Sequence, residues 1–215
     1  IELQFVNDNE FRNLEPFGRI SFPYYQMGNV NTLNLFDLDE LIIFSYYWEN
    51  KEKYKNAADL GANLGIHSII LSKCGFNVKS FEPDNWHYSI LEQNIKNNNC
   101  KNVQLNNCAV SNKNGEVEFT RVLGNTTSSH IAGDKIPYGD LETIKVKTIN
   151  FLEIIKWADL LKIDVEGHEV VLIKSTTTDD WNDTDAIVEI SNENNAKEVF
   201  NFLNSINVQM YSQKK

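Results

Sequence analysis

Ala57-Ala58-Asp59-Leu60-Gly61-Ala62-Asn63-Leu64-Gly65 is the stretch whose reading decides the fold. A short apolar run enters an acidic residue and passes two glycines four apart. It leaves with apolar residues at helical spacing (Ile66, Ile69, Ile70, Cys74) before Gly75, which can end a helix. That order is strand, glycine turn, helix. The next β-prone run, Val78 to Phe81, closes on Glu82-Pro83, so an acid stands seventeen residues beyond Gly65. At the carboxyl end of the second strand of a nucleotide-binding α/β unit, such an acid can accept hydrogen bonds from both ribose hydroxyls.

The details of the loop choose among nucleotides. A dinucleotide fingerprint is Gly-x-Gly-x-x-Gly, whose backbone amides cradle a pyrophosphate at a helix N-terminus. Here Asp59 precedes Gly-x-x-x-Gly, and no Lys or Arg occurs from Ala57 to Ile66. A carboxylate without a compensating cation suits a ligand that is phosphate-free and positively charged. S-adenosylmethionine, with its adenosine, ammonium and sulfonium, has those properties. The plain alternative is an ordinary βα turn, and an NAD-dependent oxidoreductase is disfavoured by the missing third glycine.

Composition narrows the class. At 215 residues and 41% hydrophobic, the chain can form one domain with a substantial core and an appended segment. A net charge of -10 argues against a nucleic-acid partner, because phosphate binding needs a basic face. Cys74, Cys100 and Cys108 lack Cys-x-x-Cys spacing, which points to a reducing, cytoplasmic compartment and no structural zinc. The apolar run from Leu41 to Phe44, continued through Trp48, is far too short to span a membrane. No secretory signal is visible, but the chain opens on Ile1, so a native N-terminus can be missing.

Residues 1 to about 34 mix short β-prone pieces (Leu3 to Val6, Arg19 to Phe22) with Pro16, Gly18, Pro23 and Gly28, and read as an irregular segment with room for a hairpin. Asp37 is placed to cap a helix carrying Leu38, Leu41 and Ile42. Its aromatic end, Tyr46-Tyr47-Trp48, reads as packing surface or as a cover for a pocket mouth. Asp84 can cap a second helix with Trp86, Ile90, Leu91 and Ile95. Val103 to Leu105 reads as a third strand; Asn107, Cys108 and Ala109 then fall beside the ligand, or form a plain strand exit.

Asn114-Gly115, between Ala109-Val110 and the alternating Val117 and Phe119, predicts a two-residue hairpin. A long polar loop from Leu123 to about Leu141, containing Asn125-Thr126-Thr127-Ser128-Ser129-His130, reads as an acceptor-binding element or as disorder. A strand with Ile144 and Val146 and a short helix from Phe151 to Lys156 follow. Leu160 to Ile163 then opens into Asp164-Val165-Glu166-Gly167-His168-Glu169 and a helix with Val170, Val171 and Ile173. Ala186 to Ile190 reads as a fifth strand bearing Glu189. After a helix with Val199, Phe200 and Leu203, Val208 to Tyr211 reads as a sixth.

These segments together resemble a class I S-adenosylmethionine-dependent methyltransferase, and more narrowly the FkbM family. The resemblance runs from about Asp59 to Ile190. It rests on Asp59-Leu60-Gly61-Ala62-Asn63-Leu64-Gly65, on Phe81-Glu82-Pro83, on Ala109-Val110-Ser111 before a glycine turn, and most specifically on Lys162-Ile163-Asp164-Val165-Glu166-Gly167-His168-Glu169. It implies an α/β fold: a Rossmann-like, doubly wound, mostly parallel sheet of seven strands ending in an antiparallel hairpin, with an inserted β-hairpin and an irregular N-terminal segment. Residues 1–54 would pack on a methyltransferase domain at 55–215, whose final hairpin is incomplete.

The resemblance implies methylation of a hydroxyl on a sugar, glycan or secondary metabolite. By position, the cofactor would contact Asp59, Gly61, Ala62, Asn63, Gly65, Glu82, Asn107, Cys108, Ala109 and Asp164. A non-catalytic nucleoside-binding domain of the same fold is the alternative. His168 stands where the family varies, so its role rests on this sequence alone.

Methyl transfer to oxygen is an in-line displacement, so positioning and water exclusion dominate. A general base typically adds about 10²- to 10⁴-fold. The candidates are Asp164, Glu166 and His168, with His130 on the polar loop. Asp164 reads equally as an orienting group for the ligand's ammonium, Glu166 as a cap of the following helix, and His168 as a surface residue. A divalent metal on Asp164, Glu166 and Glu189 is possible chemistry but not favoured, because no spacing fixes octahedral geometry. Oligomeric state has no signature in the sequence.

Overall fold

The computed structural model describes residues 10–27, 30–123, 129–134, 139–190 and 192–213. The β-prone piece at Leu3 to Val6, Gly28, the Asn125 to Ser128 run and part of the polar loop lie outside those residues. The chain opens with two short antiparallel pairs, β1 (Arg12–Leu14) with β2 (Gly18–Ile20) and β3 (Gln26–Met27) with β4 (Val30–Asn31). Asp37 caps α1 (Leu38–Glu49) by accepting from the Glu40 amide, a contact typically worth about 1 kcal/mol. Phe44 and Tyr47 of α1 are fully buried with Ile20 and Met27 of the hairpins and Ile69 and Leu91 of the next two helices. The aromatic end of α1 is therefore packing surface: Tyr47 is core, and the Tyr46 hydroxyl lies 2.6 Å from that of Tyr54.

The doubly wound part runs β5 (Asn56–Leu60), α2 (Ile66–Lys73), β6 (Asn77–Phe81), α3 (Asn85–Asn97) and β7 (Val103–Asn106). An insert follows: β8 (Ala109–Ser111), β9 (Gly115–Leu123), β10 (His130–Ile131), β11 (Asp140–Asn150) and the short α4 (Phe151–Ile155). The chain returns through β12 (Leu160–Ile163), α5 (Glu169–Lys174), β13 (Asp185–Val188) and α6 (Glu193–Ser205). Five parallel strands lie in the order β13-β12-β5-β6-β7. The chain leaves β5 in one direction and comes back to β12 on its other side, so the strand order reverses at the β5/β12 boundary. That reversal opens a crevice at the carboxyl ends of the strands, where open α/β sheets bind ligands.

Two expectations are corrected. Asn114-Gly115 does not close a hairpin of β8 on β9, because β11 lies between them, parallel to β8 and antiparallel to β9. At a ladder spacing of about 4.8 Å, β8 and β9 stand too far apart for a two-residue turn. The turn bonds to the end of β11 instead: Asn114 Oδ1 accepts from the Asn150 amide at 2.7 Å, and its Nδ2 donates to Glu153 at 2.6 Å. The inserted antiparallel pair is β9 with β11, in register from Asp140 opposite Leu123 to Thr148 opposite Gly115.

The second correction is at the C-terminal end. Val208 to Tyr211 forms no strand, and among the described residues the parallel sheet holds five strands rather than seven. α6 is closed by Asn207 in the left-handed region (φ 58°), with the Val208 amide donating to Leu203 at 2.9 Å. Val208 and Met210 then pack on Ile173, Val199 and Leu203. Alternating apolar residues report one buried face, and here a helix surface covers it without a ladder.

Candidate functional site

The loop after β5 is pressed against the loop after β12. Gly61 (φ 77°) lies so close that a Cβ would fall 1.8 Å from the Asp164 carbonyl oxygen, and the Asp164 amide donates to Leu60 at 3.0 Å. Gly65 (φ 94°) serves helix packing, since its Cβ would meet Leu91 Cδ1 at 2.4 Å. The Gly61 and Ala62 amides both donate to the Phe81 carbonyl at 3.0 Å, the Gly65 amide to Ala62 at 2.8 Å, and the Asn63 amide to Glu82 Oε2 at 2.8 Å. Four amides of the loop, those of Gly61, Ala62, Asn63 and Gly65, are thus committed inside the protein.

Glu82 forms one wall of the pocket, with Asp84 and His87 beside it. Its second oxygen accepts from the Asp84 amide at 2.8 Å. Burial dominates its ionisation and pushes the carboxyl up to about 8, against those two amides. Asn107 stands behind it, donating from Nδ2 to the Glu82 carbonyl at 3.0 Å. Asp84 caps α3 through the Trp86 and His87 amides. Burial alone would raise its carboxyl, but a hydrogen bond from Arg121 of β9 and the nearby His87 hold it below the usual range. Burial pushes the His87 imidazole down to about 4, so it is neutral at physiological pH.

Facing this wall are Asn63 and the Asp164-Val165-Glu166 turn, with Ala109 and Val110 at one side. Phe119, Ser129 and Ile131 of the insert complete the pocket. Asn63 Oδ1 is buried and has no hydrogen-bond partner. That leaves an acceptor that a bound ligand's donor can satisfy.

Asp59 does not line this pocket. It is fully buried behind the loop and accepts from Ser68 Oγ at 2.6 Å, while Ser68 meets Ser80 Oγ at 2.7 Å. Its ladder neighbour on β12 is Lys162, whose Nζ lies 4.0 Å from Asp59 Oδ1 and donates to Asp164 Oδ2 at 3.1 Å. The expectation of an acid without a compensating cation is therefore wrong; the cation comes from another strand. Burial disfavours the charged ammonium, yet Asp164, Asp59 and Glu40 outweigh it and hold the Lys162 pKa above its ordinary value. What argues against a phosphate ligand is the commitment of the Gly61, Ala62, Asn63 and Gly65 amides, not an unbalanced charge.

The remaining expected residues divide. Asp164, Glu166 and Ala109 line the pocket; Cys108 does not, and burial raises its thiol to about 11. Glu166 adopts a left-handed backbone (φ 56°), uncommon for a residue other than glycine. It does not cap the next helix, whose N-cap is His168 with no side-chain cap hydrogen bond; the Glu169 carboxylate instead braces the preceding turn, accepting from the Val165 and Gly167 amides at 3.1 Å. His168 is buried, Nδ1 2.8 Å from Asp134 Oδ2 and Nε2 3.0 Å from Ser111 Oγ. His130 is buried in β10 opposite Thr120, and its neighbours Ser129 and Ile131 reach the pocket instead. Glu189 is not in the lining, but the charge of Asp164, followed by burial, raises its carboxyl to about 7. Among the described residues, no three His, Cys, Asp or Glu side chains are grouped so as to hold a metal ion.

Sequence reading missed Lys162, Asp84 and His87 as site residues, together with Phe119 and Ile131 of the insert, while Ser129 lies in the loop it singled out. Asp84 and His87 carry a signal, a helix cap and the residue three positions on, which is the residue brought back over the cap. Phe119 and Ile131 do not, because their place depends on how the insert folds over the crevice.

The FkbM methyltransferase domain model matches residues 59–210. No curated protein sequence matches the chain. Among solved structures, the O-methyltransferase from Bacillus cereus in complex with SAH is 12% identical with a TM-score of 0.46, covering 80% of this chain and 70% of that one. Precorrin-6y C5,15-methyltransferase from Geobacter metallireducens is 11% identical with a TM-score of 0.46, covering 94% and 79%. The bifunctional kinase-methyltransferase WbdD is 13% identical with a TM-score of 0.42, covering 72% and 29%. With the matched segment spanning both crevice loops, the Glu82 turn and the insert, this chain belongs to the FkbM methyltransferase domain family.

Proposed function

We propose that the protein is an S-adenosylmethionine-dependent O-methyltransferase acting on a hydroxyl of a sugar, glycan or secondary metabolite. The observation that carries this reading is the Glu82 carboxyl, fixed by two backbone amides at the pocket wall, beside a glycine loop whose amides are already committed. A carboxyl held that way can accept from a ribose, and the loop offers no phosphate cradle. Asn63 Oδ1, buried and open, suits a further donor of the same ligand. Asp164 would orient its ammonium, and Ala109, Val110 and Phe119 would cover the base.

S-adenosylmethionine supplies a methyl made electrophilic by its sulfonium. The chain's own residues position the acceptor, exclude water and take a proton. Asp164 accepts from the Lys162 ammonium at 3.1 Å, a contact that fixes it for orientation. Glu166, which lines the pocket, is the carboxylate assigned to take the hydroxyl's proton as oxygen attacks. His168, which does not line the pocket, is assigned no proton transfer.

The three cysteines are free thiols, consistent with a cytoplasmic protein, and no helix among the described residues is long and apolar enough to cross a membrane. Incubation with S-adenosylmethionine carrying a tritiated methyl and a panel of glycans and small hydroxyl compounds tests the reading. Label transferred to an acceptor oxygen supports it. Saturable cofactor binding with no transfer to any member of a broad panel would favour a non-catalytic nucleoside-binding domain.

A further inference from the structure

His168 has no part in the proposed chemistry, yet it is buried and engaged at both ring nitrogens. Its partners come from separate parts of the chain. Asp134 follows β10, Ser111 ends β8, and His168 itself precedes α5. Each of these segments carries pocket residues: Ser129 and Ile131 next to β10, Ala109 and Val110 on β8, Val165 and Glu166 just before His168.

A carboxylate can only accept, so Nδ1 donates to Asp134. Nε2 meets the Ser111 hydroxyl at 3.0 Å. The result is a buried chain of hydrogen bonds, Ser111 to His168 to Asp134, that crosses from the insert to the parallel-sheet half. β10 needs such a tie. It is an edge strand paired with β9 over two positions only, His130 with Thr120 and Ile131 with Phe119.

We propose that His168 is a positioning residue that fastens the β10 wall of the pocket to the body of the domain. Through Asp134 it holds Ser129 and Ile131 over the crevice, and through Ser111 it keeps β8 in step with the turn that presents Glu166. The effect on turnover rests on the methyltransferase reading; the effect on the wall does not.

The test compares wild type with His168→Gln, Asp134→Asn and the double variant. Hydrogen exchange at the Ala132 and Asp134 amides, whose acceptors are the Glu118 and Ile131 carbonyls, is measured without ligand. Each single variant is expected to speed that exchange by about 10- to 100-fold, the effect of losing a charge-assisted hydrogen bond. The double variant should be no faster than the more affected single, because the two changes break one bond. In turnover assays KM should rise while the pH profile of kcat keeps its shape.

Exchange unchanged in both single variants would overturn the proposal. So would additive effects in the double variant, or loss of a limb of the kcat pH profile in His168→Gln with KM intact, which marks a general base. Should His168→Gln fail to fold, Asp134→Asn, nearly isosteric and nearer the surface, carries the same exchange test. If wild type transferred no methyl group, the exchange result would still stand.

Discussion

Binding of S-adenosylmethionine should be linked to ionisation of Glu82. In the ligand-free protein burial holds this carboxyl at about 8, against an ordinary 4.5. About one molecule in eleven then carries the carboxylate at pH 7, and about ten in eleven at pH 9. Two ribose hydroxyls donate to a carboxylate far better than to a carboxylic acid, so binding selects the ionised form and releases a proton. Affinity should therefore rise about tenfold from pH 7 to pH 9, ~1.4 kcal/mol, and flatten above that.

Calorimetric titration from pH 6 to pH 9, in paired buffers of different protonation heat, reads both the affinity and the proton released. Glu82→Gln should abolish the linkage and bind about 10- to 100-fold more weakly, having lost a charged acceptor. Stability should move the other way. A carboxyl raised by folding favours the native state below its ordinary value, and that contribution is lost as pH rises through about 8.

The displacement corresponds to at most ~5 kcal/mol. Glutamine would escape that cost, but its NH₂ would face one of the two amides that now donate to Glu82, a mismatch of ~1–3 kcal/mol. Ligand-free Glu82→Gln should thus be more stable than wild type at pH 9 by ~2–4 kcal/mol, and should lose that advantage toward pH 5. Affinity that is flat from pH 6 to pH 9 without proton release, or a glutamine variant that binds like wild type, would refute the reasoning.

Lys162→Met should destabilise the protein by ~3–5 kcal/mol at pH 7, because it leaves the fully buried Asp59 and the pocket-lining Asp164 without their cation; the urea midpoint and slope at pH 7 check it. Gly61→Ala adds to a left-handed backbone penalty of ~1–2 kcal/mol a clash with the Asp164 carbonyl. Gly75→Ala meets nothing within 4 Å and should incur the backbone penalty alone, so equal urea midpoints for the two variants would contradict the close approach at Gly61. Dialysis against EDTA should leave methyl transfer unchanged, and activity lost to EDTA and restored by magnesium would contradict the metal-free proton transfer.

What the sequence made legible follows from which interactions are local. Asp37 and Asp84 were readable as caps because a cap bonds amides two or three residues on. The five parallel strands were readable because each buried run is bounded by a turn or a helix start. Glu82 followed from the order of those elements. The hairpin at Asn114-Gly115 failed because β11, some thirty residues later, intervenes between its arms. The balance of charge at Asp59 failed for the same reason, since Lys162 is distant in sequence and adjacent only in the sheet register. His168 could be singled out as a titratable residue of the motif, but its role depends on Asp134 and Ser111, which only the folded insert brings to it.

Isothermal titration of S-adenosylmethionine into the 215-residue chain tests the central claim most directly. The predicted result is heat that saturates at one equivalent, is displaced by S-adenosylhomocysteine and is not reproduced by NAD. Heat with NAD and none with S-adenosylmethionine would contradict a phosphate-free nucleoside site between Glu82 and Asp164.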